Sequence, residues 1–257
     1  MDLGLSGKVA IVTGGSQGIG KATAARLAAE GASVVICARR QALLEEVAAA
    51  LRASGASVLP VCADVSRPDD TQRVVDQTLA AFGRIDILVN NAGTASTGEF
   101  AGLTDEVWQK DFDLKLFGAI RLIRLALPAM QRQGGGRIIN VTNIGAKQPG
   151  PRSMPTTVTR AAGLAMTKAL SKELAPQGIL VNAVCIGLVR AGQHETTAAR
   201  RGIDVESLYE TMSKGVPIGR VGRADEVANV IAFLASDAAS FVTGSSINLD
   251  GGASAVM

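Results

Sequence analysis

Short runs rich in β-branched residues alternate with longer, alanine-rich stretches, and this alternation limits the fold more than any other feature of the sequence. Seven runs are predicted as strands, at 8–13, 33–37, 57–62, 85–90, 137–142, 179–185 and 246–250. The stretches between them predict helices at 18–30, 41–53, 68–82, 104–131, 153–175 and 224–236. Strands that alternate with helices are joined by right-handed crossovers into a parallel sheet. The sequence therefore predicts an α/β architecture, with a seven-stranded parallel sheet and helices on both faces.

A glycine-rich loop joins the first predicted strand to the first predicted helix, and its sequence is Thr13-Gly14-Gly15-Ser16-Gln17-Gly18-Ile19-Gly20. Gly14 permits the tight turn, Gly18 lets the backbone approach a pyrophosphate, and Gly20 lets the helix pack closely on the strand. Free N–H groups at the start of the helix attract phosphates. The chain is therefore predicted to be a single doubly wound Rossmann domain over residues 1–257. Its dinucleotide site is predicted to include Gly14, Ser16, Gln17, Gly18, Ile19 and Gly20.

The end of the second predicted strand indicates which dinucleotide binds. A site for NAD(H) usually places Asp or Glu there, as an acceptor for the ribose 2′-hydroxyl. This chain has Cys37-Ala38-Arg39-Arg40 instead, without a carboxylate. Because an arginine can pair with a 2′-phosphate through charge-assisted hydrogen bonds, Arg39 and Arg40 favour NADP(H) over NAD(H).

Charge and composition argue against several other classes of protein. The 26 Lys and Arg residues and 23 Asp and Glu residues give a net charge of +3 and are scattered, so no nucleic-acid partner is predicted. Cys37, Cys62 and Cys185 lack a metal-binding spacing and His194 is the single histidine, so no metal site is predicted. Without a targeting segment or an apolar run of about 18 residues, the sequence predicts a cytoplasmic protein that does not bind membranes.

Four further motifs, together with the glycine loop, resemble the short-chain dehydrogenase/reductase superfamily, in its branch of about this length. They are Asp64-Val65, Asn90-Asn91-Ala92-Gly93, Val181-Asn182-Ala183-Val184 and Leu249-Asp250-Gly251-Gly252. The resemblance covers essentially the whole chain. It implies that Asp64 and Val65 flank an adenine, and that the cofactor is lined by Asn91, Ala92, Gly93 and Gly187.

The same resemblance implies an activity and an assembly. Members of this superfamily oxidise alcohols or reduce ketones with NAD(P)(H), so a small carbonyl or alcohol substrate is expected. They are usually dimeric or tetrameric through two long central helices, and a homotetramer or homodimer is expected here. The polar segment at about 190–215 is expected to form the lid of the substrate site.

The resemblance breaks down at the four catalytic positions of the superfamily. These hold a Tyr, a Lys four residues later, a Ser thirteen residues before the Tyr, and an Asn on the helix after strand four. Alignment through the helix around residues 167–175 places at these positions Thr156, Arg160, Asn143 and Asp113. A Thr hydroxyl is too weak an acid to replace Tyr. Arg160 does not titrate, but it can still bind the ribose hydroxyls of the cofactor and supply positive charge, so it is also predicted to be a cofactor residue. An Asn amide can still polarise a substrate oxygen.

Another group is therefore expected to supply the proton if the protein is an enzyme. Lys147 is the first candidate, because it lies four residues after Asn143 and a desolvated ammonium near Arg160 can donate a proton. Tyr209 and His194 are the other candidates, both within the predicted lid.

Three interpretations stay open from the sequence. The first is an NADP(H)-dependent oxidoreductase with an atypical catalytic site. The second is a catalytically silent NADP(H)-binding protein that acts as a sensor or supports an active subunit. The third is a non-redox enzyme similar to the halohydrin dehalogenases, which have Arg at the Lys position but keep the Tyr and lack the glycine loop.

Overall fold

The computed structural model describes residues 2–257, except for the side chains of residues 193, 196, 197 and 201. Its main sheet has seven parallel strands, which confirms the predicted fold class. These strands are β1 (Val9–Thr13), β2 (Ser33–Ala38), β3 (Val58–Cys62), β4 (Ile87–Asn90), β6 (Gly136–Asn143), β8 (Ile179–Ile186) and β9 (Ser246–Leu249). Their order across the sheet is β3-β2-β1-β4-β6-β8-β9.

A second, two-stranded sheet lies beyond the main one. It pairs β5 (Thr97–Gly98) with β7 (Met154–Pro155) in antiparallel orientation. Two-residue strands are too short to show an alternating pattern, so the sequence did not predict them.

The helices follow the predicted order closely. They are α1 (Gly18–Ala29), α2 (Gln41–Ala53), α3 (Pro68–Phe82), α4 (Asp105–Phe112), α5 (Gly118–Arg132), α6 (Thr156–Leu174), α7 (Gly192–Arg201), α8 (Val205–Ser213) and α9 (Ala224–Ala235). The predicted lid segment thus contains the two helices α7 and α8.

One predicted helix, at 104–131, is interrupted. A turn of π-helix at Asp113–Phe117 separates α4 from α5. A π-turn accommodates an extra residue and so rotates the following side chains relative to a regular α-helix. The π-turn packs against α6.

Both faces of the sheet are covered by helices. Side chains in β1 alternate, so that Val12 packs with α1, α2 and α9, while Ile11 packs with α3, α5 and α6. Because helices cover both faces of the sheet, the central strands are uncovered only at their ends. The loops that follow the carboxyl ends of the strands therefore meet at one edge of the sheet, where ligands bind in folds of this type.

The three cysteines differ in accessibility, and this generates a first prediction. Cys37 and Cys185 are fully buried, and burial raises the pKa of the Cys37 thiol to about 12. Cys62 is exposed at the end of β3. At about pH 8, we expect a thiolate-specific reagent to modify Cys62 rapidly in the native protein and all three thiols only after unfolding. Mass spectrometry of the labelled peptides checks this, and rapid labelling of Cys37 would contradict the buried β2.

Candidate active site

A cavity of ≈ 310 Å³ lies beyond the carboxyl ends of the central strands. Thirteen of the predicted cofactor residues line it: Gly14, Ser16, Gln17, Gly18, Ile19, Arg39, Arg40, Asp64, Val65, Asn91, Ala92, Gly93 and Arg160. The predicted catalytic residues Asn143 and Thr156 line it as well. Residues that are far apart in the sequence therefore share one cavity.

The glycine loop has the conformation that its sequence predicts. Gly14 and Gly18 have φ angles of 68° and 53°, in the left-handed region that favours glycine. Gly20 lies behind the loop, where a β-carbon would lie 2.6 Å from Asn91 Nδ2 and closer still to the Gly14 carbonyl oxygen. The predicted role of Gly20 is thus close packing, and this residue does not form part of the cavity wall.

Thr13 connects the glycine loop to the loop after β4. Its hydroxyl accepts hydrogen bonds from the backbone N–H groups of Asn91 and Ala92, each at 2.9 Å. The Asn91 side chain donates in turn to the Thr13 carbonyl oxygen at 2.8 Å. These bonds fix the two sides of the cavity relative to one another. Sequence analysis did not single out Thr13.

Two arginines at the end of β2 give one end of the cavity a positive charge. Arg40 Nη2 donates to Gln17 Oε1 at 2.5 Å, which places this guanidinium beside the glycine loop. Asp64, on the neighbouring wall, accepts from the N–H and the hydroxyl of Ser66 at 3.0 and 2.7 Å. Its carboxylate is thus held by Ser66, while Arg39 and Arg40 border the cavity.

The opposite end of the cavity contains Thr156 at the start of α6. Its hydroxyl donates to the Ser96 carbonyl oxygen at 2.7 Å and accepts from the Ser96 N–H at 2.9 Å. It also accepts a hydrogen bond from Lys115 Nζ at 2.7 Å. The Thr156 hydroxyl thus joins the cavity wall to a lysine that is buried behind it.

Arg160 lies one turn further along α6. Its Nη1 donates to the Val141 carbonyl oxygen at 2.7 Å, and its guanidinium packs against Gly93. Burial lowers the pKa of Arg160 to about 10, although the charge of Asp111 opposes this shift. Within the described part of the chain, Arg160 Nε and the neighbouring Asn143 Oδ1 are buried without a hydrogen-bond partner. The protein itself therefore leaves two polar atoms of cavity-lining residues without a hydrogen bond.

The structure corrects the predicted role of Asp113. Its carboxylate lies beside Gln109, at 3.1 Å, and Arg121, at 3.5 Å, away from Thr156. The side chain from this segment that reaches Thr156 is Lys115. The reason is that side chains two residues apart on a helix project from opposite sides, whereas Asp111 and Lys115, four residues apart, share the side that faces α6.

Lys115 is paired with Asp111 in the interior. Their side chains are 0% and 2% exposed, and Nζ contacts Asp111 Oδ1. The second carboxylate oxygen accepts from the Thr159 hydroxyl at 2.6 Å. Burial lowers the pKa of Lys115 to about 8, with a further lowering from the charge of Arg160, while Asp111 opposes the shift. The sequence signal for this pair was the spacing of four residues between an acid and a base on a helix.

Lys147 does not reach the cavity. Its Nζ donates to the Ser246 carbonyl oxygen at 2.9 Å and to Asn248 Oδ1 at 2.7 Å, so it connects the loop after β6 to β9. The prediction that Lys147 is the proton donor is therefore wrong, because its ammonium group points to β9 and does not border the cavity.

Gly187, a predicted cofactor residue, packs beside the cavity. It donates its N–H to the Leu249 carbonyl oxygen and lies against Asp250. The preceding residue, Ile186, borders the cavity.

The two lid candidates have contacts within the lid. Tyr209 is buried, its hydroxyl accepts from the Ala191 N–H at 3.3 Å, and the Arg190 guanidinium lies 4.5 Å from its ring centroid. The His194 ring lies edge-on to Tyr209, with 6.0 Å between the centroids, and burial lowers the pKa of His194. Ala191 and Gly192 form the adjoining part of the cavity wall. Tyr209 therefore packs within the predicted lid segment, against residues 190 and 191.

The comparisons with known proteins agree with this geometry. A sequence model of the family described as Enoyl-(Acyl carrier protein) reductase matches residues 14–254. The chain is 35% identical over 249 residues to the human Dehydrogenase/reductase SDR family member 4, covering 96% of this chain and 88% of that protein. The chain belongs to the short-chain dehydrogenase/reductase superfamily.

Further similarities to this superfamily extend over the full length of the chain. A 3-oxoacyl-[acyl-carrier-protein] reductase of Synechocystis is 37% identical over 250 residues, which cover 96% of this chain and 97% of that protein. The crystal structure of L-sorbose reductase from Gluconobacter frateurii, complexed with NADPH and L-sorbose, is 37% identical. It superposes with a TM-score of 0.95 and covers 100% of both chains.

Two searches of the described residues gave negative results. Among residues 2–257, we find no group of three His, Cys, Asp or Glu side chains that could hold a metal ion. Over the same part of the chain, no helix combines the length and the apolar character that crossing a membrane requires.

The glycine packing generates a second prediction. We expect Gly20→Ala to lower the free energy of unfolding by about 1–3 kcal/mol, because its methyl group would overlap the Gly14 backbone and Asn91. Gly163→Ala is the matched control: Gly163 lies within α6 and has open space at its β-carbon. The control should raise stability by about 0.5–1 kcal/mol. Urea unfolding of both variants measures this, and equal effects would contradict the close packing of α1.

Proposed function

We propose that this short-chain dehydrogenase/reductase is an NADP(H)-dependent oxidoreductase that interconverts a small carbonyl compound and an alcohol. The observation that carries this proposal is the shared cavity. One end has the glycine loop and two arginines, and the other end has the polar side chains of Asn143, Thr156 and Arg160. The NADPH complex of the related L-sorbose reductase supports the same cofactor class.

The cavity fits a phosphorylated dinucleotide. A β-carbon at Gly18 would meet no described atom within 4 Å, so the loop leaves open space in front of the N-terminus of α1. Backbone N–H groups at this terminus would bind the pyrophosphate. Arg39 and Arg40 would bind the 2′-phosphate, and Asn91, Ala92 and Gly93 would line the nicotinamide half. When bound, the reduced cofactor supplies a hydride.

We infer that the catalytic site is atypical for the superfamily. Asn143 would polarise the substrate oxygen through its amide group, and Arg160 would hold ribose hydroxyls and provide positive charge near the developing alkoxide. Thr156 borders the same space but cannot by itself replace a phenol as an acid. The proposal also includes a cytoplasmic location and assembly into a homotetramer or homodimer.

One observation favours a second candidate function, a catalytically silent NADP(H)-binding protein. The Thr156 hydroxyl already has three hydrogen bonds to Ser96 and Lys115. A site closed in this way could bind the cofactor without converting a substrate. Turnover separates the two candidates, because both bind NADP(H) and only one consumes it.

Cofactor selectivity is the third prediction. We expect NADPH to bind at least about tenfold more tightly than NADH, a difference of about 1.4 kcal/mol. Arg39→Ala and Arg40→Ala should each weaken the binding of NADPH and leave that of NADH nearly unchanged. Calorimetric titration measures the affinities of the unmodified protein and of both variants for each cofactor. Arg132→Ala, an exposed arginine at the end of α5, is the control and should change neither. Equal affinity for both cofactors in the unmodified protein would contradict the proposed 2′-phosphate site.

The function itself is tested by turnover. The purified protein is incubated with NADPH and a panel of ketones, ketoses, aldehydes and acyl thioesters, and with NADP⁺ and a panel of alcohols and polyols. We expect at least one carbonyl compound to be reduced with consumption of NADPH and formation of one equivalent of alcohol. Tight NADPH binding without turnover on any compound would favour the catalytically silent protein instead.

A further inference from the structure

We propose that Lys115, acting through the hydroxyl group of Thr156, supplies the proton for carbonyl reduction. This inference rests on the proposed oxidoreductase function and adds to it the source of the proton. It assigns a catalytic role to Thr156, which borders the cavity, and a proton-supplying role to a lysine that lies behind the cavity wall.

The Lys115 ammonium group and the Thr156 hydroxyl are in direct contact. Lys115 Nζ lies 2.7 Å from Thr156 Oγ1 and donates a hydrogen bond to it. Thr156 lines the cavity, whereas the Lys115 side chain is fully buried and does not. A proton that leaves Lys115 can therefore reach the cavity through the Thr156 hydroxyl, once this hydroxyl turns its own hydrogen from the Ser96 carbonyl oxygen towards the substrate.

Lys115 is held in place by contacts with side chains from two helical segments. Asp111 and Lys115 lie one turn apart on the α4–α5 segment, and Thr156 and Thr159 lie on the facing helix α6. Asp111 uses one oxygen for Lys115 and the other for Thr159. Because both ends of the ion pair are fixed, Nζ keeps its distance from Thr156 without the entropy cost that a mobile lysine would have.

Two charged side chains influence the ammonium group of Lys115. Among the described residues, the charged side chains that face it are Asp111 from α4 and Arg160 from α6. Burial and the charge of Arg160 lower the pKa of Lys115, Asp111 opposes them, and the result is about 8. An acid with a pKa near neutrality can give up its proton during turnover and regain it afterwards.

Reduction adds one hydride and one proton to the carbonyl group. The carbonyl carbon receives the hydride from the reduced nicotinamide, and its oxygen takes the proton from the Thr156 hydroxyl. The oxygen of Thr156 takes a proton from Lys115 in the same step, and the electron pair of the broken N–H bond stays on Nζ. The products are the alcohol, the oxidised cofactor, an unchanged Thr156 and a neutral Lys115 amine.

A second, small cavity provides the return of the proton. Its volume is ≈ 20 Å³, and it is bordered by Lys115, Asn90, Asn140, Thr142 and Arg160. A cavity of this size has room for about one water molecule, and the side chains of Asn90, Asn140 and Thr142 offer it polar partners among a lining that is otherwise largely apolar. Asn90 Oδ1 is buried there without a partner in the described chain and can accept a hydrogen bond from that water. This water gives one proton to the neutral Lys115 amine and takes one proton from the bulk solvent, so that both groups are restored and the cycle is complete.

The test is the pH dependence of kcat/KM in both directions, with the carbonyl compound that the turnover screen identifies. Reduction needs protonated Lys115, so its rate should fall as the pH rises through about 8, and alcohol oxidation needs the neutral amine, so its rate should rise over the same interval. In Lys115→Arg, which keeps the charge but does not titrate, reduction should drop by about 10²-fold or more and the inflection near pH 8 should disappear.

Thr156 gives an independent arm of the same test. Thr156→Ser keeps the hydroxyl and should retain most of the activity and the inflection. Thr156→Val has a similar shape without the hydroxyl, and its reduction rate should fall by about 10²-fold or more at unchanged NADPH affinity. Lys172→Met, which removes an exposed lysine from the far end of α6, is the control and should behave as the unmodified protein.

A folding control is needed because Lys115 is paired in the interior. The double variant Asp111→Leu with Lys115→Met removes both charges, so that no unpaired carboxylate is left behind. It should bind NADPH and unfold cooperatively, and it should show the same loss of reduction as Lys115→Arg.

Each contrary result has a distinct meaning. Full activity with an unchanged inflection in Lys115→Arg, or full activity in Thr156→Val, overturns the proton relay and leaves the proposed function standing. Absence of turnover in the unmodified protein on every compound, despite tight NADPH binding, overturns the proposed function and the relay together.

Discussion

Strand β1 pairs with β2 on one side and β4 on the other, and the position of every group in the cavity depends on this pairing. The chain leaves β1 through the glycine loop and returns to the neighbouring strands from opposite sides of the sheet. A crevice therefore opens beyond the carboxyl end of β1. Thr13 closes it by bonding both to the loop after β4 and, through Asn91, back to its own strand. The cavity is thus a consequence of strand order as much as of side chains.

The other end of the cavity depends on a buried ion pair. Removing two charges from water costs several kcal/mol, which the attraction between Asp111 and Lys115 offsets only with good geometry and further hydrogen bonds. Thr156 and Thr159 provide those bonds, one to each partner. The same interaction that fixes the π-turn against α6 therefore also brings an ammonium group next to a hydroxyl on the cavity wall. Structure and the proposed chemistry rest here on the same four side chains.

Most of the secondary structure of this protein, and the conformation of its glycine loop, follow from local sequence patterns. The seven strands of the main sheet, most of the helices and the conformation of the glycine loop are predicted correctly, because each depends on a few neighbouring residues. The binding of a 2′-phosphate by Arg39 and Arg40 stays a prediction. The φ angles of Gly14 and Gly18, and the crowding at Gly20, agree with the predicted reason for each glycine. The cavity also contains Asn143, Thr156 and Arg160, whose spacing along β6 and α6 was the basis for grouping them.

The sequence by itself determined the α/β layering and the glycine loop after β1, because periodicity and turn chemistry are local properties of the chain. Only the tertiary structure decided which charged groups stand behind Thr156. Asp113 and Lys115 are two residues apart and project from opposite sides of their helical segment, so that one lies beside Arg121 and the other points into the interior. Lys147 lies close to Asn143 in sequence, yet its ammonium binds β9 because the loop after β6 packs against that strand. Such choices arise from contacts between distant segments, which no local pattern records.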